Sequence, residues 1–522
     1  MNAITRQRLA RRKRRIQHRL RDRSWHDQPA PMLAARNIQY ELADRVRGLS
    51  SGGIGALHLL VRRVGLIDAL DEHLHLLRSH RPYHESDHVL NIAYNLLCGG
   101  TCLEDLELRR NDEVYLDALG AARIPDPTTA GDFCRRFEEI DVEILMEIIK
   151  DVRVKVWQEQ PASFFDEAII EADGTMAPTT GEKKGGMGIS YKGTWGYHPL
   201  VVSLANTGEP LYLVNRSGNR PSHEGAAPRF DRAIEICRTA GFNQILLRGD
   251  TDFTQTKDLD RWDEAGVRFI FGVDAMPNLV AIADDLPQGA WKRLKRPPKY
   301  VVKSERRRRR PNVKQRLVRK HGFSDIRLEG EAVAEFAYRP TACRKPYRMV
   351  VLRKDVSVND GQGQLFDEVR YLFYITNEPA MSTRNVVYKA NDRCDQENLI
   401  RELKSGVRAL RMPVNDLVSN WAYMVMASLA WTLKAWFALL LPEHGRWGPK
   451  HQAQKRRVLR MRFRTFVHAL VQIPCQIVRT GRRVVYKLLA WNPWQAVLLR
   501  GVETLRTGLP GLHTPRYEPL RC

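Results

Sequence analysis

Between Phe164 and Val273 the chain alternates short apolar runs with turn signals and two amphipathic stretches, and no other feature restricts the fold as much. EAIIEADGT, YHPLVVSLANTGEP and LYLVNRSGN predict three strands. A helix follows from Ala227 to Thr239, closed by Gly241, with Phe230, Ala233, Ile234 and Cys237 at helical spacing. QILLRGD predicts a fourth strand, the stretch from Gln255 to Glu264 a second helix and VRFIFGVD a fifth strand. Three strands, helix, strand, helix, strand is an α/β arrangement around a mixed sheet.

The flanks read differently. At 522 residues the chain exceeds one ordinary hydrophobic core. Residues 1–52 form a basic arm, flexible or ordered by DNA, because the stretch from Ile4 to Arg23 holds almost no acidic residue and few apolar ones. Residues 53–160 carry apolar positions three and four apart and predict a separate all-helical domain. The α/β unit occupies 161–274. From 275 to 369 no helical period is clear, and a β-rich basic insertion is predicted. Residues 370–412 complete the α/β unit with the strand YLFYITNE and one long helix from about Ser382 to Arg408. Residues 413–522 read as helical, aromatic and basic.

Lys and Arg number 84 against 60 Asp and Glu, a net charge of +24. That excess calls for a polyanion, with nucleic acid ahead of an acidic membrane surface. The ten Lys and Arg between Arg6 and Arg23 exclude a secretory signal there, since no apolar run accompanies them. Met424 to Leu441 is apolar enough to consider as a membrane span, but Lys434 at its middle and Trp421, Trp431 and Trp436 spread along it favour a buried helix. Eight cysteines without a C-x2-C pair fit reduced thiols.

Three carboxylates stand out. Asp173 follows EAIIEA and Asp250 follows QILLRG, each at a strand end, where ligands and metals gather in α/β sheets. On a continuous helix, Arg393, Glu397 and Lys404 fall within roughly 40° of one another, opposite Leu399, Ile400, Leu403, Val407 and Leu410. Any one of these alone reads more often as a turn residue, a cap or a solvated salt-bridged stripe. Together, three carboxylates suit Mg²⁺ or Mn²⁺, which take oxygen ligands and leave positions for phosphate oxygens.

These residues resemble a family. NDRCDQENLIRELKSG is similar to the R-x3-E-x6-K signature of bacterial insertion-sequence transposases of the DDE class, whose catalytic core is RNase H-like. DGT in EAIIEADGT resembles the family's first aspartate box, YKGTWGYHPL its second strand and LLRGDTDF its second aspartate box; DPTTAGDFCRRF resembles the helical region before the core. The resemblance spans about Gly53 to Pro413. Two positions depart from the pattern. Ala390 stands where the family has Tyr, leaving Tyr388 as the nearest aromatic, and Asp252 stands where Gly is usual, with Asp250 preferred as the ligand because it lies directly at the strand end.

The resemblance implies Asp173, Asp250 and Glu397 as catalytic metal ligands for two Mg²⁺ or Mn²⁺ ions. It implies cleavage at element ends and strand transfer, with Arg393, Lys404 and Tyr388 contacting DNA. Arg12, Lys13 and Arg14, and the run Arg306, Arg307, Arg308, Arg309 and Arg310, are dense single-sign charge and read as further DNA contacts. The implied partners are double-stranded DNA bearing terminal inverted repeats, target DNA and a second copy in a homodimeric synaptic complex, in the bacterial cytoplasm at the nucleoid and without a membrane. A catalytically inactive DNA-binding descendant is the alternative from another class, and a recombinase with a covalent Tyr or Ser a third.

Other motifs weigh less. Glu171 takes the nucleophile position of an aspartyl-phosphate box, GEKKGGMG lacks the phosphate-loop pattern, and a helix separates His84 from Cys98 too far for shared zinc. Trp195, Trp262 and Trp291 read first as core residues and second as base-stacking platforms.

Overall fold

A computed structural model describes residues 2–21, 35, 38–43, 46–296, 325–359, 365–392, 394–443, 445–480 and 483–507. The helical N-terminal part contains α1 (Ala3–Arg21), then, beyond the two-residue strand β1 (Gly48–Leu49), α2 (Ile54–Arg63), α3 (Leu66–His73), α4 (Glu85–Leu97), α5 (Leu106–Arg110), α6 (Glu113–Leu119), α7 (Pro127–Cys134) and α8 (Glu139–Gln158). Their starts follow from local chemistry. Asp126 accepts from Thr129 N at 2.8 Å with Pro127 opening α7, and Asp112 accepts from Val114 N and Tyr115 N at the start of α6.

The sheet begins with β2 (Glu167–Gly174). A small three-stranded sheet of β3 (Ala177–Pro178), β4 (Gly188–Ile189) and β5 (Trp195–Tyr197) follows. The chain then forms β6 (Leu200–Leu204), β7 (Glu209–Val214), α9 (Ala226–Ala240), β8 (Gln244–Gly249), α10 (Thr256–Glu264), β9 (Arg268–Val273), α11 (Pro277–Asp284), β10 (Lys292–Arg293), β11 (Asp325–Tyr338), β12 (Tyr347–Asn359) and β13 (Leu365–Thr376). The nine-stranded sheet has the order β10-β11-β12-β13-β9-β8-β2-β6-β7. Strands β2, β8 and β9 run parallel to one another, while β6 and β7 on one side and β10 to β13 on the other pair antiparallel.

The two faces of this sheet bury different layers. Ala168, Ile170 and Ala172 of β2, with Ile245 and Leu247 of β8, join the large core that also holds α9 and the helices. On the other face Leu246 and Ile270 pack with Val386 and Val387 of α12 (Thr383–Asn391). The alternation of strand side chains produces this division directly.

After α12 the chain forms α13 (Cys394–Arg401), a π-helical turn (Glu402–Gly406), α14 (Leu417–Leu439), α15 (Gly448–Leu459), α16 (Phe463–Phe466), the hairpin β14 (Cys475–Thr480) and β15 (Arg483–Leu488), and α17 (Gln495–Thr507). The apolar helix α14, capped by Asp416 on Ser419 N at 2.8 Å, is long and apolar enough to span a membrane by length and composition, and it lies entirely buried inside the protein. It packs against α2, α4, α7, α8 and β7. Glu209 of β7 is fully buried at this junction, accepting from Arg153 Nε at 3.2 Å, Trp157 Nε1 at 3.0 Å and Trp436 Nε1 at 2.9 Å.

Five expectations change. The basic arm contains a helix, α1, with no buried residue; Arg12 Nη1 donates to Leu488 O at 2.9 Å, and the long straight side chains of its Arg and Leu residues favour helix. Helices α2 to α8 share one core with α14, because the apolar faces they expose are covered from the far end of the chain. The region 275–369 contains α11, and its strands extend the same sheet; β13 pairs with β9 through Phe373 to Thr376, so the 369/370 boundary falls inside one strand. The helix expected from Ser382 to Arg408 is broken at Asp392, widened in the π-helical turn and ended by Arg408 at φ 52°. The C-terminal region includes β14 and β15, whose β-branched Ile477, Val478, Val484 and Val485 favour strand, and β14 pairs with β1 from across the sequence.

Candidate functional site

Strands β2 and β8 are parallel neighbours with Glu171 opposite Arg248. Continuing that register by two residues sets Asp173 level with Asp250, on strands about 4.8 Å apart. Asp250 keeps an extended backbone (φ −84°, ψ −166°), so the strand alternation carries through to it. Both aspartates therefore share the face of the Glu171–Arg248 ion pair, the face covered by α12 and α13. Asp252, one turn further, is exposed in the short helical turn after the strand.

Helix α13 is fixed over this face by Gln396. Its Nε2 donates to Val201 O at 3.0 Å, its Oε1 accepts from Ser203 Oγ, and it is 1% exposed. Val201 is the antiparallel partner of Asp173, so α13 is pinned beside the first carboxylate. Glu397 comes next on the helix, about 100° round, and is exposed. Among the described residues no three His, Cys, Asp or Glu side chains gather as a group positioned to hold a metal ion. Continued to the strand ends, the β2–β8 register sets Asp173 and Asp250 on neighbouring strands, whereas Gln396 takes the sheet-facing position of α13 and Glu397 lies exposed beside it.

Lys404 lies in the π-helical turn, whose altered rise and rotation shift it off the helix face expected to hold Glu397 and Lys404 together. Its side chain is exposed, yet nearby protein strips water from the ammonium and pushes its pKa below the ordinary value, while the Asp173 carboxylate pulls it upward. Arg393 and the run Arg306 to Arg310 lie outside the described residues. Tyr388 donates to Lys295 O at 2.6 Å and accepts from Arg384 Nε at 2.9 Å. On α1, Lys13 and Arg14 are exposed, and Arg12 makes the contact to Leu488.

His198 was not foreseen. Its ring closes over Gly174, where an added Cβ would lie 3.1 Å from Cε1 and Nε2, and its Nδ1 is 2.8 Å from Arg220 O. The tautomer with Nδ1–H donating leaves Nε2 as an acceptor over Gly174. Burial pushes its pKa down; the hydrogen bond to Arg220 O opposes this, Arg216 and Lys404 add to it and Asp252 opposes it. The position in YHPL gave one signal, a polar residue at the entry to an apolar strand. Glu171 and Arg248 gave a stronger one, charges in the middle of apolar strands, which burial makes untenable unless paired. Their pairing accounts for Glu171 without a nucleophilic role. Of the tryptophans, Trp262 is buried and donates to Asp231 at 2.9 Å, Trp291 is half-buried and Trp195 is 53% exposed. His84 opens α4, and His88 stacks on Phe133 at 4.3 Å.

The donor set fits a hard divalent cation. Two carboxylates side by side offer oxygen, and Mg²⁺ is commonly held by one or two carboxylates with waters and phosphate oxygens completing its shell. The molecule is thus a mixed-sheet α/β protein with an aspartate pair at the ends of adjacent parallel strands. Residues 37–508 match the model of the family described as Transposase DDE domain group 1, and the chain belongs to that family. No curated protein matches it. Among solved structures, a piggyBac transposase synaptic complex with hairpin DNA matches at 9% identity and a TM-score of 0.33, covering 80% of this chain and 81% of that one.

Proposed function

We propose that the protein is a DDE transposase that cuts DNA at the ends of an insertion sequence and joins the freed 3′ ends to target DNA. The single observation that carries this reading is the register-matched pair Asp173 and Asp250 in a chain of the transposase DDE family. The strand order β7-β6-β2-β8-β9, with its antiparallel hairpin beside parallel strands, supports an RNase H-like core. Bound Mg²⁺ or Mn²⁺ supplies Lewis-acid activation of the attacking oxygen and of the leaving 3′ oxygen.

The chain's own residues supply the rest. Asp173 and Asp250 hold the cations through carboxylate oxygens, and Glu397 completes their set when α13 presents it toward the DNA. Lys404 binds a phosphate near the scissile bond as a point charge beside Asp173. Arg393 adds a bidentate phosphate contact. Lys13 and Arg14 on α1 and the Arg306–Arg310 run contact phosphates further along the duplex, with a second copy of the chain synapsing the other end. The bacterial nucleoid is the setting of this reaction.

Purified protein is expected to nick DNA carrying the element's terminal inverted repeats when Mg²⁺ or Mn²⁺ is present. Asp173→Asn and Asp250→Asn are expected to bind that DNA with unchanged affinity and to lose nicking by at least 1000-fold, about 4 kcal/mol in the barrier. Equal nicking by both variants overturns the assignment of the site. Binding without nicking by the wild type would favour an inactive DNA-binding descendant, and a trapped protein–DNA adduct a covalent recombinase.

A further inference from the structure

We propose that Arg248 is a positioning residue that holds the end of α12, and through it α13, against the carboxylate-bearing strands. The inference rests on the function proposed above and adds a residue to that site. Arg248 Nε donates to Glu171 Oε1 at 2.7 Å, and Nη2 lies 2.5 Å from the same oxygen. Nη1 donates to the carbonyl of Lys389 in the last turn of α12. One guanidinium therefore joins β8, β2 and a helix end. The acceptor suits it, because carbonyls in a final helical turn lack their full complement of intrahelical donors and form the negative end of the helix dipole. Lys389 is tied a second time through its own Nζ, 2.6 Å from Glu167 at the start of β2.

Placement gives this contact its meaning. Arg248 and Glu171 stand two residues behind Asp250 and Asp173 on the same face, about 7 Å along the strands. Four residues separate Lys389 from Cys394, where α13 begins and carries Gln396 and Glu397 over that face. Stability alone does not require an ion pair here. Its side chains are only 3% and 1% exposed, the nearby layer is Leu246, Ile270, Val386 and Val387, and a matched apolar pair in such a place is commonly as stable. An apolar pair would not reach the carbonyl of Lys389. The fork of arginine reaches both partners at once, and the single ammonium of lysine does not.

The test uses the full chain with the double variant Glu171→Met/Arg248→Met, which removes both charges of the pair together, and with Arg248→Lys. Both are expected to fold, to bind inverted-repeat DNA with unchanged KM, and to bind Mn²⁺ by electron paramagnetic resonance within a few-fold of wild type. Nicking kcat should fall about 100-fold, the scale of a small misplacement of catalytic groups. Amide hydrogen exchange across residues 394–401 should quicken at least tenfold. Nicking by the double variant within threefold of wild type, or unchanged exchange in that segment, overturns the proposal. If wild type does not nick, the function proposed above fails instead, and the exchange measurement still decides the role of Arg248.

Discussion

Lys434 sits at the middle of α14 with no exposed surface. Its Nζ donates to Leu459 O at 2.7 Å and lies 3.7 Å from the centroid of the Trp431 ring. Burial pushes its pKa from 10.5 down to about 7, with the carboxylates of Glu402 and Glu209 pulling upward. In the unfolded chain the group titrates at its ordinary value. Between about pH 7 and pH 10.5 the unfolded state therefore holds a proton that the folded state does not, so stability rises with pH through that window. Below about pH 7 both states carry the proton, and the cost of the buried charge is at its greatest. A single group with these two values raises the unfolding free energy by about 2 kcal/mol between pH 7 and pH 9. Urea denaturation of wild type and Lys434→Met from pH 6 to pH 9 isolates this effect, since the other titrating groups are common to both chains. The stability advantage of the Met variant over wild type should shrink by about 2 kcal/mol from pH 7 to pH 9 and change little from pH 6 to pH 7. A difference that stays constant across pH 7 to 9 refutes the reasoning.

Other outcomes follow from single contacts. Glu209→Gln leaves the Arg153 guanidinium buried without its counter-charge, and the urea midpoint should shift by the equivalent of about 3–5 kcal/mol. Gly174→Ala places a methyl 3.0 Å from Ser222 Cα and 3.1 Å from the His198 ring, so nicking should fall about tenfold, about 1.4 kcal/mol, with DNA affinity retained. Asp252→Asn should reduce nicking less than tenfold where Asp250→Asn abolishes it, because Asp252 lies exposed beyond the strand end; equal losses would reverse that choice. Lys13→Ala/Arg14→Ala should lower the slope of log affinity against log salt by about 1.8 in a titration with duplex DNA, two phosphate contacts at about 0.9 each.

The strands and helices between Phe164 and Val273 were legible because period two and period 3.6 are written locally, and burial of one face of β2 and β8 follows the same alternation. Asp173 and Asp250 were legible as strand-end carboxylates for that reason. The hairpin β14–β15 was not, since its six-residue strands are basic and one of their partners is Gly48–Leu49 at the other end of the chain. Nor was the break at Asp392, because the apolar pattern from Val386 to Leu403 continues across it.

Sequence by itself determined the types and order of the central elements, the charge that calls for DNA and the apolar character of α14, whose lysine pointed to burial. Tertiary structure alone decided that β2 and β8 are neighbours in a register that levels two aspartates, that Gln396 and not Glu397 faces the sheet, and that Arg248 meets both Glu171 and the end of α12. The physical reason is one of range. Periodicity and capping act over a few residues, whereas strand register and the partner of a buried charge are set by segments 77 and 141 residues apart that meet only when the whole sheet closes.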